Sequence, residues 1–272
     1  MPIRVATYNV HAGVDGWGRA TDVVDAAVGL DADILLLQEA WRAEDVDLAA
    51  EIAERTGASS VFVPLAEGWR VTGGTGDHRW LPRGGLFGAN RGLALDSVRP
   101  LEPGSAARWA AMPGAARGEW GLAVVSRLDI VATQVVELAS LRKDRCARRL
   151  LVVTVALGDG DLTVLCLHGP HLLHGSLRWY RAFARDLAAR APADAPAIFG
   201  GDLNCWGFLA RPLLRGWRQA ARGATWPSWR AHSQIDHLFV RGPVRSRGGG
   251  AKDLRGSDHR PLLAELEVDP HG

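Results

Sequence analysis

The sequence predicts an α/β fold in which two face-packed sheets are covered on the outside by helices. Three observations carry this expectation. Runs such as "DILLLQE" (33–39) and "RRLLVVTVAL" (148–157) are apolar at both phases of a period-two pattern, as strands enclosed between layers must be. Segments with helical spacing fall between several of these runs, while others pass from strand to strand through a tight turn. Nothing in the 272 residues reads as a linker, repeat or low-complexity tract, so residues 1–272 are expected to form one domain.

The elements follow in order. "IRVATYNV" (3–10) is a short run rich in β-formers. "ATDVVDAAVGL" (20–30) has helical spacing, with Thr21 placed to cap it. Residues 33–39 make the second strand, 44–56 a helix closed by Gly57, and "SSVFVPL" (59–65) the third strand. From 67 to 117 the rhythm breaks into many Gly, Pro, Arg and Trp residues, and a segment of that length without strong elements is expected to be functional or mobile. Order returns in "EWGLAVVSR" (119–127), "DIVATQVVEL" (129–138), "RRLLVVTVAL" (148–157) and "DLTVLCLHG" (161–169), an antiparallel meander whose last turn is Gly158-Asp159-Gly160. A helix over 175–190, a strand at 197–200, a short helix near 208–215 and strands at "QIDHLFV" (234–240) and "PLLAELEV" (261–268) complete the chain.

A net charge of +2 admits a polyanionic substrate without demanding one. Cys146, Cys166 and Cys205 are odd in number and lack CxxC spacing, which points away from a disulfide framework or zinc knuckle and suits a reducing compartment. No apolar stretch is long enough to span a bilayer, and Met1-Pro2-Ile3-Arg4 leads directly into the first strand. The expectation is a soluble, cytoplasmic monomer without stable membrane insertion.

Polar residues recur at the ends of the apolar strands, where a buried sheet exposes its chemistry. Asn9 follows "VATY", Glu39 follows "LLLQ", Glu119 opens its strand and His168 follows "VLCL". Asp202 and Asn204 follow "AIFGG", Asp236 lies within "QIDHLF", and Asp258 and His259 lie within "GSDHRPL". Each alone reads as a cap or turn residue, and "GGDLNCW" (200–206) has the composition of a tight turn whose glycines allow close approach to a ligand. Acids, amides and imidazoles at so many strand ends point together to one site.

In this order they resemble the endonuclease/exonuclease/phosphatase superfamily, divalent-metal hydrolases that include deoxyribonuclease-like nucleases, abasic endonucleases, sphingomyelinases and inositol polyphosphate 5-phosphatases. The similar segments are "TYNV", "LLLQE", "GLAVVSR", "LHG", "GDLN", "QIDHLFV" and "GSDHRPL", spread over residues 7–262, with "GDLN" and "SDHRPL" the most specific. The resemblance implies a four-layer α/β/β/α sandwich of mainly antiparallel sheets with the site in the cleft above them. It implies Mg²⁺ or Mn²⁺ on Glu39, with Asn9 orienting Glu39 and bound water or touching the metal, and Asp258 completing metal binding or orienting its neighbours; hard cations take carboxylate oxygen, and no soft-ligand cluster competes. His259 with Asp236, and His168 with Glu119, would form two acid–imidazole pairs of the deoxyribonuclease-like kind. Asp202 would align or deprotonate the attacking water, and Asn204 would donate to the phosphoryl oxygens. Arg148 falls where that branch has a phosphate-contacting arginine, although its setting, "RKDRCARR", reads equally as a solvated basic turn.

The implied activity is phosphoester hydrolysis, foremost by a nuclease-like phosphodiesterase acting on a phosphoester substrate such as a nucleic acid. A phosphomonoesterase or lipid phosphodiesterase is the alternative, and a catalytically silent binding module a further one. Glu39-Ala40-Trp41 lacks the lysine that abasic endonucleases carry two residues beyond the metal glutamate, and "WPSWRAHSQID" only partly echoes a 5-phosphatase motif. Arg70, Arg79, Arg83 and Arg91 beside Trp69 and Trp80 suit either a nucleic-acid grip or tryptophans packed over a sheet edge. Cys205-Trp206 matches none of these branches.

Overall fold

The computed structural model describes residues 1–15, 18–73, 93–96, 101–139, 141–142, 144–158, 160–171, 177–254 and 256–269. The first half contains β1 (Pro2–Asn9), α1 (Val23–Val28), β2 (Ile34–Arg42), α2 (Leu48–Thr56), β3 (Ser59–Val71), β4 (Leu93–Leu95), α3 (Ser105–Ala110) and β5 (Ala115–Ser126). The second contains β6 (Ile130–Glu137), β7 (Arg149–Leu157), β8 (Gly160–His168), α4 (Leu177–Arg190), β9 (Ala197–Asp202) and α5 (Gly207–Leu213). It closes with β10 (Arg218–Gln219), β11 (Asp236–Arg241), β12 (Val244–Ala251) and β13 (Leu262–Val268).

These strands form a seven-stranded sheet, β12-β13-β1-β2-β5-β3-β4, and a six-stranded sheet, β10-β11-β9-β8-β7-β6. Pairing is antiparallel except for β1 with β2 and β8 with β9, one parallel pair inside each sheet. Val5, Leu36 and Val124 of the first sheet share a core with Val153, Val164, Ile198 and Leu238 of the second. Each side chain of this kind, fully removed from water, contributes about 1.5–3 kcal/mol. The same core extends through the first sheet to Val23 and Ala27 of α1 and Ile52 of α2. On the far side, Leu165 and Phe199 pack against Phe183 and Leu187 of α4 and Ala210 of α5. The result is the expected α/β sandwich, with mainly antiparallel sheets between outer helices.

Local chemistry explains where the boundaries depart from the sequence reading. Thr21 does not cap α1, because its hydroxyl donates to Gly256 O instead. Asp47 caps α2, its Oδ1 accepting from the Ala49 and Ala50 amides at 3.0 Å, and Gly57 at φ 65° ends it. The described parts of the segment 67–117 are more regular than expected. Strand β3 runs on to Val71 against β5, and Trp109 of α3 packs with Val71 and Ala94. Arg79, Trp80, Arg83 and Arg91 lie outside the described residues, while Arg70 stacks over Trp41 and donates to Ala12 O. Asp159 of the β7–β8 turn also lies outside them. Strand β12, "VRSRGGGA", lacks β-formers and is held by its ladder to β13. Among the described residues no helix is long and apolar enough to cross a membrane.

Candidate active site

The carboxyl ends of both parallel pairs meet at one end of the sandwich, the position where layered α/β sheets place ligands. Register aligns Asn9 with Gln38, and His168 with Asp202, while antiparallel β11 sets Asp236 opposite Asp202. Because β13 runs antiparallel to β1, its leading loop returns to Asn9. There Ser257 Oγ donates to Asn9 O at 2.7 Å and accepts from the His259 amide at 3.2 Å.

Two backbone features aim the side chains. Pairing of β2 with β5 shifts between Gln38↔Leu122 and Ala40↔Gly121, leaving Glu39 as the extra residue of a bulge at φ 55°. Asn204 stands at φ 50° with its amide donating to Asp202 Oδ1 at 2.7 Å. Left-handed backbone at a residue other than glycine costs roughly 1–3 kcal/mol and persists where the surroundings impose it. Gly201 has a different role from the ligand approach expected of it. A Cβ there would lie 1.9 Å from Leu167 O, so glycine is what lets β8 and β9 close and bring His168 beside Asp202.

Asn9 stitches the sheets together, its Nδ2 donating to Glu39 Oε1 and to Asp202 Oδ2, both at 3.0 Å. Its Oδ1 accepts from the His11 amide, so the residue orients carboxylates and turns its carbonyl away from them. His168 Nε2 lies 3.6 Å from Asp202 Oδ2 and 3.8 Å from Glu39 Oε1, with Asn204 Nδ2 at 3.0 Å. His259 Nδ1 is 2.9 Å from Asp236 Oδ2, and its Nε2 faces Asp202 Oδ2 at 3.8 Å. Glu39, His168 and Asp202 form one convergent group and Asp202, Asp236 and His259 another, with ligand atoms in each within 4.8 Å of one another. Asp202 belongs to both.

Burial polarises this cluster. It raises the Asp202 carboxyl to about 7, helped by the Asp236 charge and opposed by His259, the Asn204 amide and Asn9. Burial also opposes an imidazolium at His259, but Asp236, Asp258 and Asp202 outweigh it and hold the ring well above its usual range. Asp236 is correspondingly lowered, the nearby His259 charge overcoming its desolvation. His168 moves the other way, driven well below the usual value by burial, Arg148 and His259. This favours the neutral ring, in which the Asn204 amide directed at Nε2 assigns the proton to Nδ1.

Two expected roles need correction. Glu119 does not pair with His168: its Oε2 takes Nε and Nη2 of Arg42 at 2.9 and 2.6 Å, because the β2–β5 register sets the two residues opposite each other. His168 Nδ1, the atom such a pair needs, has no hydrogen-bond partner among the described residues. Arg148 is not available to a phosphate. It is buried, clamped by both Asp144 oxygens, and its Nη1 donates to the His168 and Gly169 carbonyls. Asp258 stands apart from both convergent groups, with Oδ2 at Trp226 Nε1 and Oδ1 at 3.6 Å from His11 Nδ1. Sequence reasoning missed Trp120, whose Nε1 donates to Glu39 Oε2 at 3.2 Å and whose ring lies 5.1 Å from that of His168.

The donor chemistry fits a hard divalent cation. Glu39 is 7% exposed, and its hydrogen-bond donors, Asn9 and Trp120, are both neutral. A buried carboxylate so placed, beside a second one whose ionisation is suppressed, is a site short of positive charge.

The match to known proteins runs the length of the chain: residues 6–259 match the Endonuclease/Exonuclease/phosphatase family, and the chain belongs to it. Among solved structures it is similar to an endonuclease/exonuclease/phosphatase from Beutenbergia cavernae, with 19% identity and TM-score 0.65 over 98% of this chain and 72% of that one. It is likewise similar to a family protein from Leptotrichia buccalis, with 14% identity and TM-score 0.65 over 98% and 100% of the two chains. Truncated TDP2 from Caenorhabditis elegans is similar at 14% identity and TM-score 0.57, over 98% of each chain. At these identities the likeness establishes the fold. No match to a curated protein was found.

Proposed function

We propose that the chain is a divalent-metal phosphoesterase, foremost a phosphodiesterase with nuclease-like activity. The observation that carries this reading is Asp202, shared between the Glu39–His168 group and the Asp236–His259 group. Glu39 would hold Mg²⁺ or Mn²⁺, with Asn9 fixing its carboxylate beside that of Asp202. When bound, such an ion supplies Lewis-acid charge at a phosphoryl oxygen and lowers the pKa of water.

The chain's own groups divide the remaining work. Asp202, whose Oδ2 lies 3.6 Å from His168 Nε2 and 3.8 Å from His259 Nε2, aligns an attacking water and accepts its proton. His259, held through Nδ1 by Asp236 with its imidazolium favoured, gives its Nε2–H to the leaving oxygen as the old P–O bond breaks. Asn204 Nδ2, now shared between His168 Nε2 and Gly169 O, is the neutral donor for charge building on phosphoryl oxygen. Arg148 positions His168 by holding the carbonyls of residues 168 and 169.

A panel of single- and double-stranded DNA, RNA, phosphoinositides, sphingomyelin and an activated diester, with Mg²⁺ or Mn²⁺, tests the reading. Cleavage of nucleic acid or diester, abolished by His259→Ala, is expected. Failure to cleave any of them sinks the proposal, and phosphate release from a headgroup with DNA untouched favours the alternative.

A further inference from the structure

Among the described residues three of the large exposed apolar side chains, Trp206, Phe208 and Leu209, fall within four positions of one another. Trp206 is 41% exposed and Phe208 64%, their rings near-parallel at 8° with centroids 5.9 Å apart. Single exposed apolar residues need no explanation, but a clustered aromatic wall marks a contact surface. This wall is one side of a cavity of about 250 Å³, whose other sides include Arg211, Arg222, Gln219 and Gln234. Trp206 is anchored through Nε1 to Ser233 Oγ at 3.3 Å. Arg211 Nε donates to Gly207 O, and neither Arg211 nor Arg222 is ion-paired with a carboxylate among the described residues.

Position makes this cavity relevant to the site. Trp206 lies two residues beyond Asn204, and Gln234 two residues before Asp236, so two of its lining residues stand close along the chain to the proposed catalytic residues. We propose that the Trp206–Phe208 cavity is a subsite for one unpaired nucleotide of a single-stranded nucleic acid flanking the scissile phosphoester. It rests on the phosphoesterase reading and names its substrate class. A flat aromatic wall matches the π-face that every base offers. Guanidinium groups without a carboxylate partner among the described residues match the phosphate beside that base, and side-chain amides its polar edges. An acyl chain would meet polar walls, an inositol ring has no planar face, and bases in a duplex are already stacked on one another.

The test is the affinity of a labelled short single-stranded oligonucleotide in EDTA, where binding is read without hydrolysis. Trp206→Ala should weaken binding about ten-fold, the loss of one base stack, and Phe208→Ala, which removes the ring stacked on Trp206, should weaken it in the same direction. Trp206→Tyr should restore most of it. An oligonucleotide of abasic residues should bind wild type and the alanine variants alike. Arg222→Gln should reduce the slope of log K against log salt by about 0.7. Thermal melting establishes that each variant is folded, and Phe208, largely in solvent, is the substitution least able to disturb the core.

Unchanged affinity in both alanine variants overturns the proposal. So does equal weakening toward the abasic strand or a duplex, which would mean that no base is stacked. Loss of binding to anionic phospholipid vesicles with oligonucleotide affinity intact would assign the wall to a lipid surface and overturn it as well. Hydrolysis of a base-free activated diester by wild type is read separately. Its absence with base-dependent binding intact would sink the phosphoesterase reading and leave the subsite standing.

Discussion

Asp202 and Glu39 are two buried acids joined by a single amide, Asn9 Nδ2, and the charge they lack is what a bound cation supplies. Glu39→Gln keeps the shape of the side chain and removes its charge, so calorimetric titration should show Mn²⁺ affinity falling by at least about ten-fold. Retention of wild-type affinity would remove Glu39 from the metal site. The same residues set the pH response of the metal-free protein. Asp202, raised to about 7, contributes stability below the ordinary carboxylate range that is lost as pH climbs toward 7. His259 is also raised, so its contribution is complete below the unfolded imidazole value and lost as pH rises through the folded one. Both act in one direction. His168 and His237, both lowered by burial, act the other way up to the ordinary imidazole value, so the test is a difference: as pH rises from about 5 to 7 in EDTA, wild type should lose Tm relative to Asp202→Asn, and identical profiles in the two proteins would contradict the assignment. At this scale the sequence exposed the residues that stand at strand ends, because an acid or imidazole after an apolar run has few structural reasons to be there. Trp120 was illegible because an indole inside a strand reads as core. Glu119 was misread because its partner, Arg42, is fixed by register, which no local pattern reveals.

Elements aim these side chains through a bulge and a close strand approach. Gly201→Ala would force a Cβ against Leu167 O at a φ of 153°, so the β8–β9 pair must part. Chemical denaturation should show a loss of at least about 2 kcal/mol. Gly57→Ala is the control, since φ is 65° there but nothing lies within 4 Å, and it should cost only about 1 kcal/mol. Equal losses would mean that the contact with Leu167 O is unimportant. Apolar runs and their punctuation located the central strands, whose burial on both faces writes itself into composition. Strand β12 escaped because three consecutive glycines at a solvent-facing edge carry no β signal, and its pairing with β13 alone makes it a strand. The Glu39 bulge escaped for a related reason: "LLLQEAW" looks continuous, and the extra residue appears only against Leu122 and Gly121.

At the scale of the molecule, one apolar core reaches from the helices of the first sheet into the second sheet, while a second core lies beneath α4 and α5. Cys146 and Cys166 belong to the first and Cys205 to the second. Burial pushes their thiols up to about 11, 12 and 12, so alkylation of the native protein near pH 8 should be negligible at all three. If residues 1–272 unfold as one unit, the three should become reactive together as denaturant rises; earlier exposure of Cys205 would divide the chain. The layered class was legible because doubly apolar strands need covering layers. The cavity beside Trp206 was not, since it is built from segments brought together only by folding. The account as a whole turns on whether this acid–imidazole centre hydrolyses phosphoesters. The most direct measurement is the rate of hydrolysis of an activated phosphodiester with Mn²⁺ by wild type and by Asp202→Asn. Metal-dependent turnover is expected in wild type, falling by roughly 10²–10⁴ in the variant. Equal rates in the two proteins, or none in wild type, would contradict it.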